Sequence, residues 1–255
     1  MNFITGTYTD VGTRKKTNQD SMLVLQASTN QGNVLMASMC DGMGGLAKGE
    51  VASCAMVRAL EKWFAERLPE LILQGINKET LWMEWGDLVR LTSQKISAYG
   101  SSLRVELGTT CTTLLVIGND YFLMNVGDSR AYLLSDNIYQ LTKDQTFVQR
   151  EVDAGRMTYE QSLVDPRRSV LLQCIGASPY VEPDFYYAQT VPGQAFLLCC
   201  DGFRHVISPE EFYRELNPNA LTNRRVMEAK LRKITELNIS RGEDDNISAI
   251  LIKNS

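Results

Sequence analysis

The sequence predicts one α+β domain rich in antiparallel strands, and three observations carry that expectation. Short apolar runs bounded by turn signals, such as 34–40, 121–126 and 195–200, read as buried strands. Between 109 and 141 such runs follow one another through Gly-Asn-Asp, Gly-Asp-Ser and Ser-Asp-Asn turns with no helix between them. That pattern favours an antiparallel meander over a parallel βαβ sheet. Three stretches with helical spacing, 51–68, 79–99 and 223–237, can cover sheet faces. A chain of 255 residues suffices for a sizeable core in a single domain spanning 1–255.

In order, FITGTYT (3–9) and SMLVLQA (21–27) read as strands flanking a polar loop, 10–20, that carries Arg14-Lys15-Lys16. A Gln-Gly-Asn turn leads into a strand at 34–40, which ends abruptly at Asp41-Gly42. Ala52, Ala55, Met56, Ala59, Leu60, Trp63, Phe64 and Leu68 give the first helix its apolar face, and Pro69 stops it. Leu81, Trp85, Leu88, Thr92, Ile96 and Tyr99 do the same for the second, with the tryptophans as core residues. The meander comprises TTCTTLLVI, YFLMNV, RAYLL and IYQL. The segment 143–169 lacks strand pattern and mixes polar helical pieces, 144–154 and 158–163, with Gly155 and Pro166. It reads as a surface insertion, either a functional lid or a passive excursion. Strands resume at 185–190 and 195–200, helices follow at 209–216 and 223–237, and NISAILI (246–252) is the last strand.

The net charge of −4 argues against a broad nucleic-acid footprint. Two short basic clusters, Arg14-Lys15-Lys16 and Arg167-Arg168, read as solvated patches or local anion contacts. No apolar run approaches the ~18 residues of a membrane span. The first ten residues lack the pattern of a secretory signal, so a cytoplasmic location is expected; separately, the chain is expected to be a monomer. Cys40, Cys111, Cys199 and Cys200 lie in apolar runs, Cys54 lies in a helix, and no CxxC pair occurs. Buried free thiols in a reducing cytosol follow. With one histidine, His205, and no zinc spacing, a zinc site is not expected; His205 reads as a structural or surface residue.

Four acids share one structural address. Asp41 and Asp201 each end an apolar strand (MASMC-DG and FLLCC-DG), Asp128 follows YFLMNVG, and Asp245 precedes the last strand. Singly, each reads as a turn former, since Asp-Gly is a common turn pair. Together they are harder to place, because buried strand ends rarely tolerate uncompensated carboxylates. Mutual repulsion raises their pKa values unless cations sit among them, and an all-oxygen donor set suits Mg²⁺ or Mn²⁺. Gly42, lacking a side chain, lets its carbonyl approach an ion.

DGMGG (41–45), GTT (108–110), GDSR (127–130), LTKD (141–144), an apolar run ending in DG (196–202) and DN (245–246) occur in an order that is familiar. On these motifs the chain resembles the metal-dependent Ser/Thr protein phosphatases of type 2C, the PPM family, in its compact bacterial form, over essentially its whole length. The resemblance implies an αββα sandwich of two antiparallel sheets flanked by helices, with 144–169 as a small flap insertion. It implies two Mn²⁺ or Mg²⁺ ions, with Asp41 bridging them, the Gly42 carbonyl on one, and Asp201 and Asp245 on the other. Asp41, Asp201 and Asp245 are thereby the catalytic set. Asp128, with Asp201, would offer a weaker third position, and Asp20 would support the site through metal-bound water.

The implied activity is hydrolysis of phosphoserine and phosphothreonine in proteins by direct attack of a metal-bridging hydroxide, with no phosphoenzyme. The implied partners are phosphorylated proteins and a bacterial Ser/Thr kinase whose action it opposes. Three residues depart from the family pattern. The arginine usual three positions before the Asn of the TNQD box is Lys15 here, with Arg14 beside it; both are candidates for the phosphate contact, and lysine lacks the bidentate fork. Met43 stands where eukaryotic members carry a histidine, which leaves the general acid unassigned. His205 follows the second DG. Two rival readings are a catalytically silent PPM-fold binding protein and a two-metal phosphohydrolase of small phosphate esters; a silent relative would tend to lose the acid set, which is complete here.

Overall fold

The computed structural model describes residues 2–29, 32–44 and 48–254. Its strands form two antiparallel sheets. The first contains β1 (Phe3–Asp10), β7 (Arg130–Leu134), β8 (Ile138–Gln140), β10 (Ala195–Cys199) and β11 (Ile247–Asn254), in the order β1-β11-β10-β7-β8. The second contains β2 (Asp20–Thr29), β3 (Gly32–Gly44), β5 (Cys111–Ile117), β6 (Asp120–Val126) and β9 (Asp184–Gln189), in the order β2-β3-β5-β6-β9, with β4 (Leu107–Thr109) paired to the end of β3.

Both faces of the central strands are covered, which is why they read as continuous apolar runs. Along β3 the pleat sends Leu35, Ala37 and Met39 into one apolar cluster with Phe196, Leu198, Ile250 and Met227. Val34, Met36 and Cys40 enter another, with Met56, Leu60, Trp63, Leu81 and Trp85. The latter residues come from α1 (Gly49–Glu66) and α3 (Lys78–Leu103), where the rings of Trp63 and Trp85 meet edge-on at 5.7 Å. Beyond the other sheet lie α6 (Pro209–Leu216) and α7 (Arg224–Ser240). The layers run helix, sheet, sheet, helix, as the resemblance implies. No helix among the described residues is long and apolar enough to cross a membrane.

Four differences from the sequence reading have physical causes. The strand expected to stop at Cys40 continues to Gly44 by exchanging partners, from β5 to β4. The run at 109–117 is interrupted at Thr110, whose N–H donates to the Asp41 carbonyl at 2.8 Å. Pro69 ends one helix but opens α2 (Leu68–Gln74), since a helix's first turn tolerates proline's missing N–H. The meander is split between sheets: β5 and β6 pair, then the chain crosses at 127–129 to the β7–β8 hairpin. That crossing needs Gly127, which has φ +97° and whose hypothetical Cβ would lie 2.6 Å from Thr110 Cγ2. Gln31 of the Gln-Gly-Asn turn and Gly45 of DGMGG lie outside the described residues.

The insertion carries α4 (Phe147–Asp153) and α5 (Tyr159–Val164), capped by Thr146 and Thr158 side chains. It leaves from β8, returns by a bridge between Thr146 and Leu171, and leads to β9. Between it and the turn at 204–212 lies a cavity of about 640 Å³, lined among others by Asp144, Thr146, Tyr159, Arg168 and His205. Asp144, expected in a polar surface helix, is buried and ion-paired instead.

Candidate active site

Strand ends from both sheets meet at one rim and bring the acids together. Asp20 and Asp41 are direct cross-strand partners in the β2–β3 pair, continuing the row of side chains that faces the other sheet. Asp201 follows β10 and Asp245 precedes β11, neighbouring antiparallel strands joined just there by Cys200 N–H to the Ser248 carbonyl at 3.2 Å. Asp128 sits in the 127–129 crossing between the sheets. The structure therefore brings Asp20, Asp41, Asp128, Asp201 and Asp245 into one neighbourhood. Burial pushes the Asp41 carboxyl well above its ordinary range, and the charges of Asp20, Asp201, Asp128 and Asp245 push it further. Burial, aided by Asp201 and Asp245, raises Asp20 to about 6. Asp128 reaches about 7 through burial and the Asp201 charge, with Arg204 opposing.

Hydrogen bonds fix Asp41 by its backbone rather than its carboxylate. Its N–H donates to Thr110 Oγ1 at 2.9 Å, and Thr110 Oγ1 lies 2.8 Å from Ser129 Oγ. Gly42 donates its N–H to the Gln19 carbonyl at 3.1 Å. A Cβ at position 42 would stand 2.2 Å from the Gly49 carbonyl oxygen and 2.6 Å from that of Gln19. Packing against the start of α1 thus demands glycine there, whatever its carbonyl binds.

The cations at the rim divide unequally. Lys15 Nζ lies 2.9 Å from Asp245 Oδ1. Burial alone would lower its pKa, but the Asp245 bond and the charges of Asp245, Asp41 and Asp201 leave it raised. Arg14 pairs instead with Asp244 at 2.6 Å and is largely exposed. The loop that carries them is pinned by Asn246, which donates to the Val11 carbonyl at 2.9 Å and accepts from Gln19 N–H at 2.9 Å. The DN motif thus supplies one acid to the cluster and one clamp for the basic loop.

Several residues were not visible from sequence. His205, expected to be structural or at the surface, is mostly buried between Asp201 Oδ2 and Glu243 Oε2, at 3.3 Å from each. Arg204 Nη2 lies 2.9 Å from the Asp128 carbonyl oxygen and 3.3 Å from Asp128 Oδ2. Arg130 holds Asp144 by two bonds of 2.7 Å, and Arg204 also approaches Asp144, at 3.4 Å. That pairing explains why GDSR and LTKD occur together. Cys200 Sγ lies within 4.8 Å of ligand atoms of Asp20 and Asp41. Burial and then the charges of Asp20, Asp41 and Asp201 hold its pKa well up, so it remains a thiol. It accepts from Ser248 N–H at 3.1 Å and donates to the Asn246 carbonyl at 3.4 Å. The only sequence signal for Cys200 is its place immediately before Asp201.

The residues fit hard divalent cations. Both Asp20 carboxylate oxygens are buried and lack a well-formed hydrogen bond among the described residues, with only the Ser248 hydroxyl and the Cys200 thiol near enough to ease them, in a cluster whose charges repel. Uncompensated buried carboxylates of this kind are stabilised by cations with oxygen-ligand preference.

Carboxylates drawn from both sheets onto one rim of a four-layer sandwich could together hold hard divalent ions. The model of the protein phosphatase 2C family matches residues 12–251, and the chain belongs to that family. The chain is 32% identical over 250 residues to serine/threonine phosphatase stp of Listeria monocytogenes, covering 96% of this chain and 93% of that one. It is 32% identical over 226 residues to serine/threonine protein phosphatase PstP of Mycobacterium tuberculosis, covering 85% of this chain but only 40% of PstP. The catalytic domain of PstP, solved in complex with two manganese ions, superposes with TM-score 0.78 at 30% identity, over 98% of this chain and 97% of that one. The serine/threonine phosphatase of S. agalactiae superposes with TM-score 0.85 at 26% identity, over 100% of both chains.

Proposed function

We propose that the chain hydrolyses phosphoserine and phosphothreonine in proteins, using two Mn²⁺ or Mg²⁺ ions. Asp41 would bridge the ions, the Gly42 carbonyl would meet one, Asp201 and Asp245 would hold the other, and Asp20 would support them. The observation that carries this reading is the convergence of these carboxylates in one buried cluster, where burial and their mutual charges raise the pKa values of Asp20 and Asp41. The two manganese ions of the PstP catalytic domain support the count. Bound there, the ions supply Lewis acidity that activates water for in-line attack and neutralises phosphoryl oxygens.

The chain's own residues do the rest. Thr110 orients Asp41 through the backbone, and Asn246 fixes the loop that presents Lys15. Lys15, kept cationic beside Asp245, would meet a phosphoryl group; Arg14, held by Asp244, is the more remote candidate. Residues 1–255 act as one catalytic domain, with the flap at 144–169 beside the site. All six cysteines are free and five are buried, which supports a reducing cytosol. The phosphorylated substrates would be products of a Ser/Thr kinase, and the chain would act as a monomer.

The test uses protein stripped of metal, assayed on p-nitrophenyl phosphate and on a phosphothreonine peptide with and without Mn²⁺. Release should require Mn²⁺ and disappear in Asp41→Asn and Asp201→Asn. Activity independent of Mn²⁺, or unchanged in both variants, would sink this reading.

A further inference from the structure

The third ion position that the family resemblance gives to Asp128 and Asp201 does not fit the residues found there. Both carboxylates already hold nitrogen donors from a single turn. After Asp201, the N–H groups of Arg204 and His205 donate to the Asp201 carbonyl at 2.9 and 3.1 Å, which places the two side chains beside the cluster. His205 Nε2 lies 3.3 Å from Asp201 Oδ2 and is anchored behind by Glu243. Arg204 Nη2 is within 3.3 Å of Asp128 Oδ2, 2.9 Å of the Asp128 carbonyl oxygen and 3.4 Å of Asp144 Oδ2, and its side chain is only 10% exposed. Arg130 fixes Asp144 from the far side with two bonds of 2.7 Å.

A guanidinium stays protonated at every working pH, carries donors only, and neutralises facing carboxylates with a permanent charge. A dication brought to Asp128 would have to displace Arg204 or sit against it, cation to cation, in a desolvated corner. We propose that Arg204 stands in for a third ion, so that this chain works with two. It is a positioning residue: it holds Asp128 and the 127–129 crossing from within, where a bound ion would otherwise do so. The inference rests on the two-ion reading above.

The number of Mn²⁺ ions bound per chain separates the two ideas. Titration of the metal-stripped full chain with Mn²⁺, followed by calorimetry and by the EPR signal of free Mn²⁺, should saturate at two ions and stay there into the millimolar range. Arg204→Gln should gain a third, weaker ion, which Asp128→Asn in the same chain removes again. Arg204→Lys, which keeps the charge, should remain at two. Three ions in the wild type, or two in a folded Arg204→Gln, would overturn the inference and leave the two-ion phosphatase standing. No bound ion in the wild type would remove both. If Arg204→Gln does not fold, the wild-type count decides alone, two ions supporting the substitution and three refuting it.

Discussion

Asp41 and Asp20 face each other across β2 and β3, and among the described residues no cation forms an ion pair with either carboxylate. Replacing Asp20 by Asn should leave the fold intact and weaken Mn²⁺ binding by about 10–100-fold, the range typical of residues that orient metal ligands. An unchanged Mn²⁺ titration would remove Asp20 from the site. The same cluster sets a pH dependence in the metal-free chain. Asp20 at about 6 and Asp128 at about 7 hold protons in the folded state that an unfolded carboxyl, near about 4, releases. The folded state then binds more protons, so stability falls as pH rises from about 4 through about 7. His205, whose pKa is also raised, contributes the same sign. The metal-free chain should melt lower near about pH 8 than near about pH 5, and saturating Mn²⁺ should reduce the difference; the opposite order in a calorimetric scan would contradict these shifts. At this scale the strand-end position pointed to four of the acids, Asp41, Asp128, Asp201 and Asp245, while Asp20 came only from the family resemblance. Arg204, His205, Asn246 and Cys200 were not, because their meaning comes from partners brought close only by folding.

The crossing at 127–129 and the Trp63–Trp85 pair of the helical layer are the elements on which placement of the site depends. Gly127→Ala would force a left-handed backbone and a Cβ 2.6 Å from Thr110, so a loss of about 2 kcal/mol or more is expected. The loss should appear in both denaturant midpoint and activity, because Asp128 and Thr110 move together. Trp85→Ala, in a fully buried position against Trp63, should cost about 3–5 kcal/mol in denaturant unfolding while leaving Mn²⁺ stoichiometry intact in whatever folds. Most elements were readable from periodicity: α6 begins and ends where the sequence places it, and α7 and β11 start within one residue of expectation. The misreadings fall where a local signal was overridden. Pro69 was read as a stop although it also suits a helix start, and the 121–134 turns looked like hairpins although one of them changes sheets.

Over the whole molecule, the α+β class and its antiparallel strands followed from turn chemistry alone, but the division into two facing sheets did not. Period-two patterning shows which side chains alternate and is silent on which strand lies opposite. The assignment came from the resemblance and stands in the strand order. Because the acids come from both sheets, ions bound only by the folded chain should stabilise it by about 2.7 kcal/mol each at about a hundredfold excess over Kd. Thermal melts with and without a chelator measure this directly, and a midpoint indifferent to Mn²⁺ would contradict the site.

The shared rim has a mechanical meaning as well. Asp20 and Asp41 belong to one sheet, Asp201 and Asp245 to the other, and the 11–19 and 127–129 segments pass between them at that end. Ions bound as proposed would work as a rivet across the mouth of the sandwich. Chelation would then draw the rivet and leave the seam to open from that mouth, while the far end is closed by the β9–β10 connection.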